Sequence, residues 1–350
     1  MTTVKSGAAG RIAGRILVVG GYGAVGATVA ATLGAWFPGR VIPGGRDEAK
    51  ARRIGGVRID VTDLGGFRKT LDDVGDVAAV VLCVEPPDAG VTRMCLDRGI
   101  HVVDIGATRR LLDATEELDD LATEGQATAL LSVGVAPGLT NLLAHRAHQA
   151  VDGAERLDLT LLFGTGERHG ADALRWTIAA LGEPVQARPW RTELPGYGTR
   201  TAYPFPFSDQ FTLARTLGVP QVTTRLCLDS RPLTAALFAL RRSGLLRMAR
   251  RPGAGRVIAD VCGRVHLGED GFAVRVDARN GDRHAAYAVT GREQSRVTGL
   301  VAAHATRELL GGALPPGVHH IEQVSALSAL PEVLTSHDVT FLRYEGRTGR

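Results

Sequence analysis

ILVVGGYGAVGATVAA, residues Ile16 to Ala31, decides the fold. Ile16 to Val19 is a short apolar, β-branched run, the pattern of a strand buried on both faces. Glycines follow at Gly20, Gly21, Gly23 and Gly26, and an Ala/Val/Thr/Leu run then continues as a helix to about Leu33. Gly21-x-Gly23-x-x-Gly26 fits the dinucleotide fingerprint in register. One glycine makes a tight turn, one lets the backbone approach a pyrophosphate, and one permits close helix–strand packing. The expected cradle is Gly20, Gly21, Tyr22, Gly23, Ala24, Val25 and Gly26, with helix N-terminal amides facing the phosphates. The plain alternative is a Gly-rich turn of any α/β protein.

The totals suit such a reading. At 350 residues the chain is long enough for two domains, and 44% hydrophobic with 22% charged residues describes a globular protein. A net charge of +4 with scattered basic residues and few aromatics argues against a nucleic-acid partner. Lysine occurs only at Lys5, Lys50 and Lys69, so a Schiff-base or lysine-base mechanism downstream is disfavoured. Cys83, Cys95, Cys227 and Cys262 lack metal-ligand spacing and read as free thiols in a reducing compartment, so a cytoplasmic location is expected. Arg11 and Arg15 precede an apolar stretch, but glycines interrupt it where a signal peptide needs continuity. No run of 18 apolar residues suggests a membrane span.

Strand and helix then alternate as a doubly wound sheet requires. Arg40 to Pro43 reads as a second strand, ending in Gly44-Gly45-Arg46-Asp47, where a Rossmann unit meets the adenosine ribose. Asp47 would suit the hydroxyls of NAD and Arg46 the 2′-phosphate of NADP; NADP is favoured, with NAD open. Further strands are expected at Val57 to Val61, with Asp60 near the adenine edge, and at Val77 to Val84, stopped by Glu85-Pro86-Pro87. Gly99 to Ile105, with Asp104 near its end, and Ala127 to Val133 follow. Val84, Glu85 and Pro86 thus fall at a strand's carboxyl end, where ligands lie. Thr140 is placed to cap the helix after Pro137-Gly138.

A Gly-rich first turn, Gly44-Gly45-Arg46, Cys95-Leu96-x-x-Gly99-x-His101-x-Val103-Asp104 and Pro137-Gly138-Leu139-Thr140-Asn141-Leu142-Leu143-Ala144 together resemble the saccharopine dehydrogenase family. The closer likeness is to its saccharopine reductase and carboxynorspermidine dehydrogenase branch. The resemblance covers residues 15 to 150 and thins afterwards. It implies hydride transfer at a C=N or C–N bond of an amino-acid-derived small molecule, and a homodimer. Many relatives carry Asp where this chain has Ala136.

From Arg156 the period changes. Runs at 157–163, 224–228, 257–267, 272–278 and 284–289 read as strands of a largely antiparallel sheet, with helices at about 171–181, 233–250 and 294–310. The expected organisation is a leader (1–14), a dinucleotide-binding domain (15–145), an α+β substrate or dimerisation domain (146–293) and a C-terminal return (294–350).

His169, in the Gly164-to-Gly170 loop, is the best-placed imidazole for proton transfer. Thr140, Asn141 and the loop amides are candidate carboxylate anchors, and Asp104 is a further catalytic candidate or a support for its turn. The extended Tyr203-to-Gln210 segment reads as a pocket wall or a packed inter-domain loop. His101 reads as a core residue; His145 and His148 lack a third ligand, and His319-His320 receive no role, so no metal is expected. The reading is an NADP-dependent oxidoreductase; a non-catalytic nucleotide sensor or scaffold on the same fold is the alternative.

Overall fold

The computed structural model describes residues 12–167, 177, 180–183, 187–243 and 268–347, and within them the two hydrophobic periods separate into two sheets. The first half forms β1 (Arg15–Val19), β2 (Val41–Gly45), β3 (Val57–Arg58), β4 (Val77–Leu82), β5 (His101–Asp104) and β6 (Thr128–Leu131). The second half forms β7 (Arg156–Phe163), β8 (Trp190–Leu194), β9 (Gly198–Pro204), β10 (Gln221–Leu228), β11 (Gly271–Asn280), β12 (Arg283–Arg292), β13 (Gly317–His320) and β14 (Thr340–Arg347). The helices are α1 (Ala24–Trp36), α2 (Glu48–Arg53), α3 (Leu64–Val74), α4 (Gly90–Leu96), α5 (Arg109–Glu116), α6 (Asp119–Glu124), α7 (Leu139–Ala150), α8 (Asp209–Thr216), α9 (Arg231–Arg242) and α10 (Gln294–Leu310).

The first sheet has the order β3-β2-β1-β4-β5-β6-β13, every pair parallel. That is the doubly wound order, with its switch point beside β1. Ile16 to Val19 are at most 1% exposed, as a strand covered on both faces must be. Each such side chain contributes roughly 1.5–3 kcal/mol by leaving water. β13 arrives from far down the chain and extends this sheet beyond β6.

The second sheet has the order β14-β12-β11-β7-β10-β9-β8. It is antiparallel except between β7 and β10. β11 and β12 close as a hairpin through Gly281-Asp282, where Gly281 takes φ +53°. Leu157, Leu159, Leu161, Val274 and Val276 share one core with α7, α10 and the Ile16/Val18/Val81 face of the first sheet. One continuous core therefore holds the two sheets together.

Several expectations need correction. The third strand is only Val57–Arg58, because Asp60 turns its carboxylate onto the Thr62 amide and hydroxyl and ends the ladder. α7 starts at Leu139, with Gly138 as N-cap, so Thr140 does not cap it. The Gly138 amide is instead satisfied by Asn141 Oδ1 at 3.0 Å. The Tyr203-to-Gln210 segment divides between the two readings: Tyr203 lines a surface hollow, and most of the rest is packed inside. Phe205 and Phe207 are core residues, and Asp209 already belongs to α8. The expected strand at 257–267 and most of the helix at 171–181 lie outside the described residues.

α10 is buried almost all round and crosses α1 at a glycine. A Cβ built at Gly299 would lie 2.7 Å from Thr28 Cβ and 2.9 Å from the Val25 carbonyl oxygen. Gly299→Val should therefore push α10 off α1 and lower stability by roughly 1–3 kcal/mol, read as a fall in the urea unfolding midpoint. An unchanged midpoint would mean that the contact is slack.

Candidate functional site

The fingerprint glycines divide their work by contact. Gly20 carries the tight turn, with φ +86°, and a Cβ there would meet Val84 Cγ1 at 2.7 Å. The Gly20 and Gly21 amides donate to the Gly44 carbonyl at 2.8 and 2.9 Å, stitching the turn to the end of β2. At Gly26 a Cβ would lie 2.2 Å from the Gly20 carbonyl oxygen, so only glycine lets α1 start this close to β1. Gly23 differs: its Cβ would meet a single atom, the Gly20 carbonyl oxygen, at 3.1 Å, a tight contact that a small shift relieves. As N-cap, Gly23 offers no side chain, and the first turn of α1 holds no acid. The Ala24, Val25 and Gly26 amides are thus first-turn donors without intrahelical acceptors, the arrangement that holds a phosphate.

At the end of β2, Tyr22 lies over Gly45, and its hydroxyl accepts the Asp47 amide at 2.9 Å. Asp47 caps α2, accepting the Lys50 amide at 3.0 Å, and that bond holds its carboxyl below the usual range. Asp47 is therefore engaged, and Arg46 is exposed beside it. Asp60 is likewise occupied by Thr62, with its acidity increased first by the Thr62 amide and more weakly by Arg46.

Three strand ends form the other half of the crevice. Asp104 is 5% exposed and accepts the Gly106 amide at 2.7 Å, so it orders its own turn from beneath. Burial pushes its carboxyl up to about 6, against the Gly106 bond and with a further rise from Glu85. Burial, helped by Asp104, also pushes the Cys83 thiol well up, leaving it an inert neighbour. Glu85 is exposed and accepts the Thr108 hydroxyl at 2.7 Å. Pro86 is buried, and Val84 lies against Gly20.

The turn after β6 is tied to the second sheet through α10. The Val135 amide reaches Thr298 Oγ1 at 3.4 Å, and Gln294 Nε2 reaches the same oxygen at 3.4 Å. The Gln294 and Ser295 amides donate to the Glu167 carboxylate at 2.7 Å each. The start of α10 thus bridges the 134–138 turn and the 164–167 loop. Glu167, Gln294 and Thr298 escaped the sequence reading. An acid facing a helix N-terminus more than a hundred residues away leaves no local pattern.

Thr140 and Asn141 are not free anchors. Both are fully buried. Asn141 accepts from Gly138 and Thr140 and donates to Glu322 Oε2 at 3.0 Å and Thr212 Oγ1 at 3.4 Å. Their hydrogen-bonding capacity is engaged in joining α7 to α8 and to the segment after β13. Asp209, fully buried beside them, accepts the Thr224 hydroxyl at 2.7 Å, and burial pushes its carboxyl up to about 6. His320 joins Ser132 Oγ and Glu116 Oε1, each at 2.8 Å, so it fastens β13 to β6 and α5. His101 accepts the Thr128 amide, His145 meets Gln149, and His148 accepts the Ala154 amide, so each has a structural partner. His169 lies outside the described residues. No group of three metal-ligating side chains occurs among the described residues. No helix there is long and apolar enough to cross a membrane.

No protein-family model matches this sequence, and the search of curated proteins finds no match. Among solved structures the chain is similar to a probable dehydrogenase from Thermotoga maritima, at 11% identity and a TM-score of 0.47, over 93% of this chain and 98% of that one. It is similar also to an engineered D-amino acid dehydrogenase, at 16% identity and a TM-score of 0.43, over 93% of this chain and 100% of the other. A third is GenD2 from gentamicin A biosynthesis in complex with NAD, at 15% identity and a TM-score of 0.42, over 97% and 99% of the two chains.

Asp104 sets a pH dependence whose sign follows from its shift. Its carboxyl is held at about 6 against an ordinary 3.8, so between those values the folded state holds the extra proton. Its contribution to stability is full below pH 4 and is lost as the pH rises through 6. Asp104→Asn keeps an acceptor for the Gly106 amide and removes the titration. Its stability relative to wild type should rise by roughly 3 kcal/mol between pH 4 and pH 7, measured by urea unfolding at each pH. A constant difference would place Asp104 in a solvated setting.

Proposed function

We propose that this chain is an NADP-dependent oxidoreductase acting at a C=N or C–N bond of an amino-acid-derived small molecule. One observation carries the cofactor reading. The first turn of α1 presents amides without intrahelical acceptors beside a glycine N-cap, and at the ribose end Asp47 is tied to α2 while Arg46 is exposed. These residues fit a dinucleotide: Ala24 to Gly26 for the pyrophosphate, Arg46 for a 2′-phosphate, and the Val84-to-Pro86 end of β4 for the nicotinamide side. When bound, the cofactor supplies the hydride; the chain supplies orientation, anion recognition and a proton.

The C=N reading rests on the resemblance of the first 150 residues to the saccharopine dehydrogenase family. On that reading Asp104, sealed under its turn and held near 6, is better suited to tune the crevice than to touch substrate. Proton delivery by His169 stays part of the proposal, as does a homodimer. The burial of Thr140 and Asn141, with Ala136 in the preceding turn, favours the second reading, a nucleotide sensor without turnover. NADPH oxidation in the presence of 2-oxo acids and amines separates the two.

Two variants test the cofactor site. Arg46→Ala should weaken NADPH binding by about 10- to 100-fold, as expected for a lost charge-assisted contact, and leave NADH nearly unchanged. Equal losses for both would reject the 2′-phosphate role. Gly23→Val should abolish binding of both cofactors while the circular dichroism spectrum stays that of the folded protein, because its Cβ meets one backbone oxygen at 3.1 Å and a small shift accommodates it. Gly26→Val, aimed at the Gly20 carbonyl, should instead lose the fold's stability as well.

A further inference from the structure

A second recognition surface lies on the far strands of the second sheet. A hollow of about 250 Å³ is lined by Arg191 from β8, Thr199, Arg200, Thr201 and Tyr203 from β9, and the first turn of α9 with Arg231. Nearer the middle of this sheet Arg156 and Arg225 share Asp158, and Arg275 holds Asp277. Among the described residues, none of the three arginines of the hollow meets a carboxylate. Arg231 Nη2 and Arg200 Nη1 both donate to the Thr199 carbonyl, at 3.0 and 3.5 Å, so one backbone oxygen draws the two cations together. Arg200 Nε is buried without a partner. The Arg191 side chain makes no hydrogen bond among the described residues and is exposed.

Like charges drawn together without a counter-ion repel one another, and an external anion removes that cost. We propose that the hollow binds a small organic anion with two negative charges, a phosphate ester or a dicarboxylate. Guanidinium forks match both groups by paired N–H donors, and Thr199, Thr201 and Tyr203 line the same space. The N-terminus of α9, a helix of 12 residues, adds its positive end. The hollow is small: its volume corresponds to roughly eight waters at ~30 Å³ each, room for one compact anion. The hollow is also joined to the 164–167 loop. Arg200 Nη2 donates to the Asp229 carbonyl at 3.5 Å, and the Asp229 carboxylate accepts the Thr165 hydroxyl at 3.0 Å and the Glu269 amide at 3.0 Å.

The test is calorimetric titration of the full chain with inorganic phosphate and with glutarate, in a low-salt chloride buffer. Phosphate could also meet Arg46, so wild type is compared with Arg46→Ala, with Arg191→Ala and with the double variant Arg191→Ala/Arg231→Ala. Saturable binding of either probe is expected; it weakens at least tenfold in the double variant and is unchanged in Arg46→Ala. The probe that saturates assigns the ligand to the phosphate or the dicarboxylate class. Arg191→Ala, which breaks no described hydrogen bond, should already weaken binding severalfold with an unaltered melting temperature. Absence of saturable binding by both probes overturns the proposal, as does a loss that follows Arg46→Ala instead of the double variant. Neither result depends on whether NADPH binds.

Discussion

The helix that follows the first strand is gripped between two glycine contacts, and the rest of the molecule is built around that grip. On one side Gly26 brings the start of α1 against the Gly20 carbonyl, at a distance no side chain would allow. On the other, Gly299 of α10 lies against Val25 and Thr28. Contacts this close make the position of α1 insensitive to side-chain motion, because backbone meets backbone. The amides of its first turn are therefore aimed by the fold itself. α10 in turn carries Gln294 and Thr298 to the two segments that close the crevice.

Buried polar groups carry the second level of organisation. Asn141, Glu322, Thr212, Thr216 and Asp209 connect α7, α8 and the segment after β13, while His320 ties Ser132 to Glu116. Such groups must be hydrogen-bonded when sealed from water, and satisfying them demands one relative placement of the elements. Two carboxyls, Asp104 and Asp209, are held near 6 by burial. Near neutral pH they ionise at a cost to stability that a crevice-forming protein bears where packing and polarity meet.

Polar side chains on the second sheet fall into two kinds. Asp158 and Asp277, opposed across β7 and β11, each hold their own cations, and Trp190 lies 5.4 Å from both Arg156 and Arg225. Each of those arginines has a carboxylate partner. Those of the β8–β9 edge have none among the described residues, which is why an external anion is the natural complement there. The contrast comes from pairing, not from the number of arginines.

Much of this was legible from the chain alone. Gly21-x-Gly23-x-x-Gly26 after Ile16 to Val19, the strand and helix alternation to residue 133, the 294–310 helix and the Asn280-Gly281-Asp282 hairpin are local patterns, and local backbone preference with hydrophobic period suffices to set them. Only tertiary structure decided what the polar residues do. Thr140 and Asn141 follow Pro137-Gly138 as binding residues would, yet burial turns them inward, to partners as distant as Glu322. Arg46 and Asp47 are equivalent candidates as neighbours in sequence, and both are exposed; the turn of α2 engages the Asp47 carboxylate and not Arg46. Glu167 on the amides of α10, β13 beside β6, and the unpaired arginines of β8 and β9 join residues tens to nearly two hundred positions apart. A hydrogen bond or an ion pair depends on distance in space, and sequence sets that distance only through the completed packing of the core.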